Sequence, residues 1–537
     1  MSCAYALSAM NFVESFPDTL DEMKKREDWP QWKAAVDEEM KSHQKNNTWT
    51  LCKLPEGRKA VSCKWVFRIK RGEDGGIDRY KARLVARGFS QRFGYDYTDT
   101  YAPVARLDTV RTVLAVANQE RLEVHQMDVK TAFLNGKLRE DIYMTLPEGV
   151  DGGKDVVCRL NRALYGLKQA SRAWNERFHE LVTKLGFRRS ENDRCLYVRG
   201  EGESKLFLLL YVDDILIVGR NLMDIVKLKK RLAAEFEMSD LGQVGSFLGM
   251  LIERDVQNRV LRITQRAYLE NLLRRFGMED CKPVATPMEC RLKLKKGEET
   301  ERTTQPYREL IGCLAYVAQS SRPDLCAAVN LLSQYQSCPT NEHWGYLKRI
   351  LRYVKGTLDI GLEFRGGEHV EALVAYSDAD WGNDENDRLS ISGGVLRVFG
   401  GTVMWLTRKQ KTVALSSTEA EFVALCTATC EGIWLRRLLS DLNVNVEGAV
   451  TYFEDNQSCI RVAEEPKDSR RLKHVDIKYN FIRELVQGGQ IEISYLPTEK
   501  QLADLMTKGL PAGAFGRLRE AVGLQRLSRG IEEQYLR

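Results

Sequence analysis

Sulfur chemistry finds little support in this chain of 537 residues. Its 13 cysteines are scattered, with no Cys-x-x-Cys pair and no zinc-knuckle spacing, which excludes the common zinc fingers and ribbons. An odd, unpatterned set in a long chain is expected to stay reduced, as in an intracellular protein. Long apolar runs are missing too. The longest, "LLLYVDDILIVG" at 208–219, is too short for a membrane span and carries two charges at its centre. No basic segment followed by an apolar stretch opens the chain, so no secretory signal is read. Internal repeats and low-complexity tracts are absent as well.

What is present reads as globular. Hydrophobic residues make up 43% and charged residues 29% of the chain, and the length predicts about three or four domains. The net charge of +6 is unevenly spread. Residues 53–92 hold 12 Lys/Arg against 4 Asp/Glu. Such a stripe is either a solvated face or the footprint of a polyanion, usually nucleic acid.

Periodicity predicts the elements. Trp32, Val36 and Met40 fall at helical spacing within a polar N-terminal segment. In "KWVFRIKRGEDGGIDRYKARLV" two basic, β-branched runs flank a turn signal, which predicts a hairpin with basic arms. Residues 122–128 read as a strand ending in Asp128, 161–186 as a helix, 206–218 as two strands around a turn, and 222–236 as an amphipathic helix. Pro283, Pro287 and "KLKKGEETER" predict a linker, followed by a helix at 341–355 with Trp344, Leu347, Leu351 and Val354 inward. From 371 onward the order is β-β-β-α-β-α-β, an α/β unit.

Asp213 and Asp214 pose the chemical question. Carboxylates seldom sit between two hydrophobic strands without compensation. On a strand the two would face opposite ways, but at a tight turn both can approach one ion. Oxygen-only ligands suit Mg²⁺, and a third acid such as Asp128 would complete a two-metal site with ions roughly 3.5–4 Å apart. An Asp-Asp pair alone is more often a plain turn; the apolar flanks on both sides are what argue against that.

Further motifs carry a resemblance. "YVDD" with an upstream "QMDVKTAFLNG" resembles the catalytic core of a reverse transcriptase. "DRYKARLVARGFSQ", "TYAPVARLDTVR", "LYGLKQASRAW", "FLGM", "YSDADWGND", "SSTEAEFVAL", "DNQSCI", "KHVDIKYNFIRE" and "QLADLMTKGL" stand in the order found in copia-type LTR retrotransposon Pol polyproteins. The likeness runs from about residue 27 to 512.

The resemblance implies an α/β multidomain chain: an α+β right-hand polymerase with fingers, palm and thumb, followed by an RNase H-like α/β domain. The expected divisions are 1–50, an N-terminal helical segment; 51–240, fingers and palm; 241–370, thumb and connection; 371–512, the RNase H-like domain; and 513–537, a C-terminal tail. Asp128 and Asp213 would bridge two Mg²⁺ ions with Asp214 assisting, and Mn²⁺ could substitute. Lys81 and Arg83 resemble finger residues that clamp a triphosphate, or are strand-face charges. Phe133 resembles the aromatic that blocks a ribose 2′-hydroxyl, or is a core ring. Tyr165, Gly166 and Lys168 resemble the stretch lying against template and dNTP, with Gly166 letting backbone approach the nucleotide. "FLGM" resembles the turn that grips the primer end.

The same resemblance places Asp378, Glu421, Asp455 and Asp504 as the acids of a second two-Mg²⁺ site, cleaving the RNA strand of an RNA–DNA hybrid. Asp380 shares a strand face with Asp378; the family's "YSD" favours Asp378. Ser416-x-x-Glu419 and Thr418-x-x-Glu421 both fit a capping box; the resemblance favours Glu421. His474 would assist product release or cap its helix. Ser171 stands where the family has proline, and "GGVLRVFGG" is irregular beside the family's strand.

The expected activity is an RNA- and DNA-directed DNA polymerase with ribonuclease H. Expected partners are template RNA, DNA primer, RNA–DNA hybrid, dNTPs and other Gag and Pol products, with no membrane. The expected location is the cytoplasm, in a virus-like particle for a complete element, with the nucleus as a second compartment. One alternative is a decayed or host-adopted remnant that binds phosphates with steep salt dependence and no turnover; drift would have removed some of the seven acids. A nuclease alone is the other, and "QMDVKTAFLNG" with "YVDD" speaks against it. The family's upstream zinc knuckle, protease and integrase motifs are not seen. The chain is therefore expected to be a mature product, a truncated element or a piece of a longer reading frame, with residue 1 not the natural start.

Overall fold

The computed structural model describes residues 16–17, 19–71, 76–153, 155–464 and 476–526. Most of the expected "GEDGG" turn, and His474, lie outside the described residues. The chain divides into two compact units, one of residues 11–105 and 124–243, the other built mainly from 106–123 and 244–537. The division is discontinuous in sequence, unlike the contiguous one expected.

The first unit centres on a six-stranded sheet ordered Met238–Gln243, Glu123–Val129, Asp214–Gly219, Leu206–Tyr211, Leu196–Arg199 and Arg188–Arg189. Leu206, Leu208, Leu210, Ile215 and Ile217 share a core with Trp174 and Phe178 of the helix Ala170–Lys184 and with Ile225, Leu228 and Leu232 of the helix Leu222–Glu235. The intervening Phe207, Leu209 and Leu216 are buried as well. Strands buried on both faces read as continuous apolar runs rather than alternating ones, which accounts for the flanks of the aspartate pair.

The basic hairpin forms as expected, Cys63–Arg71 against Ile77–Ala86. Trp65, Phe67, Ala82 and Leu84 are buried, and Trp32 of the helix Trp29–Lys45 stands edge-on to Phe67 at 5.4 Å and to Tyr80 at 4.7 Å. The register Val66↔Arg83 and Arg68↔Lys81 puts Arg68, Lys81 and Arg83 together on the opposite face.

One expected helix is shorter than its periodicity. Residues 161–169 are irregular and the helix starts at Ala170. Gly166 has φ +89°, and a Cβ there would meet Ala86 O at 2.0 Å. Its main chain lies against the end of the hairpin strand, where Ala86 N–H donates to Tyr165 O (2.8 Å). The close approach that requires glycine is thus to the protein's own backbone.

The second unit holds two five-stranded sheets. One is ordered Gly401–Lys409, Ile391–Val398, Val374–Asp380, Val450–Glu454 and Ile491–Tyr495; its first three strands are antiparallel and the last three parallel. The irregular "GGVLRVFGG" resolves into a tight hairpin, with Phe399 (φ 47°) and Gly400 (φ 74°) as its two loop residues. The helix Ser417–Asp441 packs on this sheet, with Ala420, Phe422, Ala424 and Leu425 buried. The other sheet is antiparallel, Ser246–Phe247, Met250–Asp255, Val260–Thr264, Ile360–Arg365 and Leu524–Arg526. Residues 512–526, most of them within the expected C-terminal tail, form a helix and this last strand.

The expected linker is packed rather than free. Leu294 is buried and its carbonyl accepts from Tyr335 Oη (3.0 Å) and Asn386 Nδ2 (3.0 Å). The helix Leu107–Gln119, unforeseen in the sequence, is fixed by Arg111. That buried guanidinium donates to Val403 O (2.7 Å), Gln319 O (2.7 Å), Ser320 O (2.9 Å) and Asp108 Oδ1 (2.6 Å). It also lies 4.0 Å from the Trp405 ring. Trp344 is half-buried, while Leu347, Leu351 and Val354 are inward as expected.

Gly166→Ala tests the hairpin contact. Left-handed backbone strain and the clash with Ala86 should together lower stability by about 2–4 kcal/mol, read from the urea unfolding midpoint; an unchanged midpoint would show that the contact is dispensable.

Candidate active sites

The first site is built on a two-residue turn. Asp214 pairs with Tyr211 across the hairpin, leaving Val212 and Asp213 as the loop. Val212 has φ 58°, a strained conformation for a β-branched residue and one that persists only where its surroundings enforce it. Two main-chain contacts do so. Buried Trp174 donates from Nε1 to Val212 O (2.5 Å), and Val129 N–H donates to Asp213 O (2.9 Å).

The Asp213 carboxyl titrates above the ordinary range, first because it is buried and then because Asp128 stands nearby; Arg83 and Lys81 oppose the rise. Asp213 therefore shares its surroundings with Asp128, Arg83 and Lys81. Asp214 is oriented otherwise, accepting from Gln126 Nε2 (3.3 Å).

Arg83 lies 4.5 Å from the Tyr165 ring, which meets Phe133 edge-on at 4.7 Å. Burial and the nearby Arg83 charge both lower the pKa of Arg68. Asp128, Asp213, Lys81, Arg83, Phe133 and Tyr165 thus form one neighbourhood. Lys168, three residues beyond Tyr165, has its Nζ 2.9 Å from Tyr97 Oη. Sequence reasoning passed over Trp174 and Arg68. Arg68 could have been found from hairpin pairing, since it faces Lys81.

The second site lies at the strand ends of the mixed sheet. Asp378 comes from Val374–Asp380, Glu421 from the long helix, and Asp455 directly follows Val450–Glu454. One carboxylate oxygen from each lies within 4.8 Å of the others. Asp504 opens a short helix beside them, and Lys508 approaches Asp504 at 2.7 Å and Asp378 at 3.4 Å. Thr507 donates its hydroxyl to Asp378, and Thr498 donates to Asp455 (2.6 Å).

Hydrogen bonds distinguish the members of each look-alike pair. Asp380 accepts from Asn383 (2.9 Å), while Asp378 belongs to the trio. Glu419 accepts from Leu415 N–H (2.7 Å) and its own N–H donates to Ser416 Oγ (3.2 Å), so it caps the helix. Glu421 is left for the cluster. A fifth acid went unnoticed: Glu454 is fully buried and accepts from Ser377 Oγ (2.9 Å) and Asn456 N–H (3.2 Å). Burial raises its pKa well above the usual range.

Burial and then Asp378 push Glu421 up to about 11; burial and then Asp378 push Asp504 up to about 7. Glu421 Oε2 is buried with no hydrogen-bond partner among the described residues. An all-oxygen donor set with an unsatisfied buried carboxylate fits a hard divalent cation such as Mg²⁺.

One unit thus carries paired acids on the central hairpin of its sheet, and the other a mixed five-stranded sheet with acids at its strand ends. The family model described as reverse transcriptase (RNA-dependent DNA polymerase) matches residues 46–290. The Retrovirus-related Pol polyprotein from transposon TNT 1-94 of Nicotiana tabacum is 40% identical over 95% of this chain and 39% of its own length. That from transposon RE2 of Arabidopsis thaliana is 39% identical over 92% of this chain and 34% of its own. A putative transposon Ty5-1 protein of Saccharomyces cerevisiae is 32% identical over 55% of this chain and 97% of its own. The chain belongs to the copia-type retrotransposon Pol family and spans 39% and 34% of the two plant relatives.

The raised carboxyls set a pH dependence. In metal-free protein Glu421 and Asp504 hold protons that the unfolded chain releases near pH 4. The folded state therefore binds more protons, and its stability falls as pH rises above that range. The thermal midpoint in EDTA should drop from about pH 5 to about pH 8, and drop less in Glu421→Gln. Identical slopes for both proteins would contradict the assignment.

Proposed function

We propose that this chain copies RNA and DNA templates into DNA and hydrolyses the RNA strand of the resulting hybrid, with Mg²⁺ at both sites. The crowding of acids at two separate places, half-buried at the first and mostly buried at the second, is the observation that carries this reading. Asp213 beside Asp128, and Glu421 beside Asp378 and Asp455, are carboxyls whose ionised form burial and the neighbouring acids disfavour.

When bound, Mg²⁺ supplies Lewis-acid activation of the attacking oxygen and neutralisation of phosphate charge. Asp128 and Asp213 would hold it at the polymerase site, and Asp378, Glu421, Asp455 and Asp504 at the ribonuclease site. The clamp from Trp174 and Val129 fixes Asp213 before substrate arrives. Lys81 and Arg83 present positive charge toward the aspartates, where a triphosphate would enter. Phe133 against Tyr165 forms an apolar wall suited to excluding a 2′-hydroxyl. Lys508 supplies the compensating charge for Asp378 and Asp504.

Primer extension on poly(rA)/oligo(dT) with dTTP and Mg²⁺ tests the polymerase. Asp213→Asn/Asp214→Asn should lose at least about 100-fold, the upper range for merely supporting groups around a metal. Asp378→Asn should keep extension and lose hybrid cleavage by a similar factor, read on labelled RNA. Absence of extension by the intact chain, with duplex binding retained, would instead favour a remnant that binds without turnover.

A further inference from the structure

Residues 88–105 carry aromatic rings where a folded surface usually covers them. Phe89 is 80% exposed, Phe93 71%, Tyr95 67% and Tyr101 65%. Large apolar groups concentrated in water mark a binding surface. The segment is nonetheless fixed. Buried Gln91 donates to Gln169 Oε1 (3.0 Å) and accepts from Lys168 N–H (2.8 Å). Gln169 Nε2 donates to Asp96 O (2.8 Å), and Asp96 Oδ2 accepts from Arg92 N–H (2.7 Å). Phe93 stands edge-on to Tyr97 at 5.7 Å, and the Arg92 guanidinium lies 4.9 Å from the Tyr95 ring. Arg87, Arg92 and Lys168 are exposed around these rings.

We propose that residues 89–101 form a stacking platform for unpaired bases, namely the single-stranded template ahead of the primer end. Exposed rings interleaved with cations suit a single strand of any sequence, because every base has a π-face and every linkage a charge. Paired bases are already stacked on each other and offer these rings nothing. The buttress ties the platform to the stretch beside the site: Gln91 and Asp96 hold Lys168 and Gln169, which follow closely on Tyr165, and Tyr165 shares its surroundings with Arg83 and Asp213. The identity of the strand as template rests on the polymerase reading; its capture does not require turnover.

Fluorescence anisotropy on the full chain tests this, using labelled primer–templates that are blunt or carry a 5′ template overhang of about eight nucleotides. The overhang should tighten binding at least about fivefold. Phe93→Ala/Tyr95→Ala should bring that ratio close to one, and Phe93→Trp/Tyr95→Phe should retain it. Equal ratios in wild type and the alanine variant, or no overhang effect in wild type, overturn the proposal. So does an unchanged ratio with a lower sedimentation mass in the alanine variant, which would make the patch a face between copies of this chain. A ring-dependent ratio in a chain that cannot extend primers would leave the platform standing and sink only the polymerase reading.

Discussion

Acids pressed together with too little water around them are the constraint on which both units turn. A buried carboxylate resists ionisation, and a second one beside it resists further. The two sites meet that demand differently. Around Asp213 a face of the basic hairpin brings Arg83 and Lys81 within electrostatic reach. Around Asp378 a single lysine, Lys508, serves two acids, while Glu421 keeps an unsatisfied oxygen. Two cations face one acid at the first site, whereas one lysine serves two acids at the second, which makes the second the more demanding of an added cation.

Rigidity around the acids comes from groups with no acid chemistry of their own. Trp174 is a core residue whose indole N–H reaches the carbonyl of a strained valine. Glu419, two residues before Glu421, fixes the start of the helix that carries it. In both cases an ordinary structural contact sets where a carboxylate points, so substitutions far from any substrate would disturb the chemistry.

The aspartate hairpin, the basic hairpin and the α/β order after residue 371 were legible because each has a clear period or turn signal. The rest was hidden for identifiable reasons. The helix Leu107–Gln119 buries Thr109, Arg111, Thr112 and Asn118 beside its apolar residues, so polar positions that elsewhere mark a solvent face lie inside. The break before Ala170 is invisible because apolar spacing continues across Gly166, whose φ of +89° and close contact with Ala86 a helix does not accommodate. Among the acids, Asp378 and Asp380 look alike in sequence, as do Glu419 and Glu421; hydrogen-bond partners separate them. Glu454 escaped notice because nothing in a strand's pattern says that an acid at its end faces inward.

The helix fixed by Arg111 has a consequence for how this chain can be divided. The backbone passes between the two units after residues 105, 123 and 243. A piece beginning at residue 244 would therefore lack a helix of its own unit, leaving the carbonyls of Val403, Gln319 and Ser320 without their guanidinium donor. The two units are interleaved along one thread, so no single cut separates them, and recombination that swaps the second must carry Leu107–Gln119 along with it.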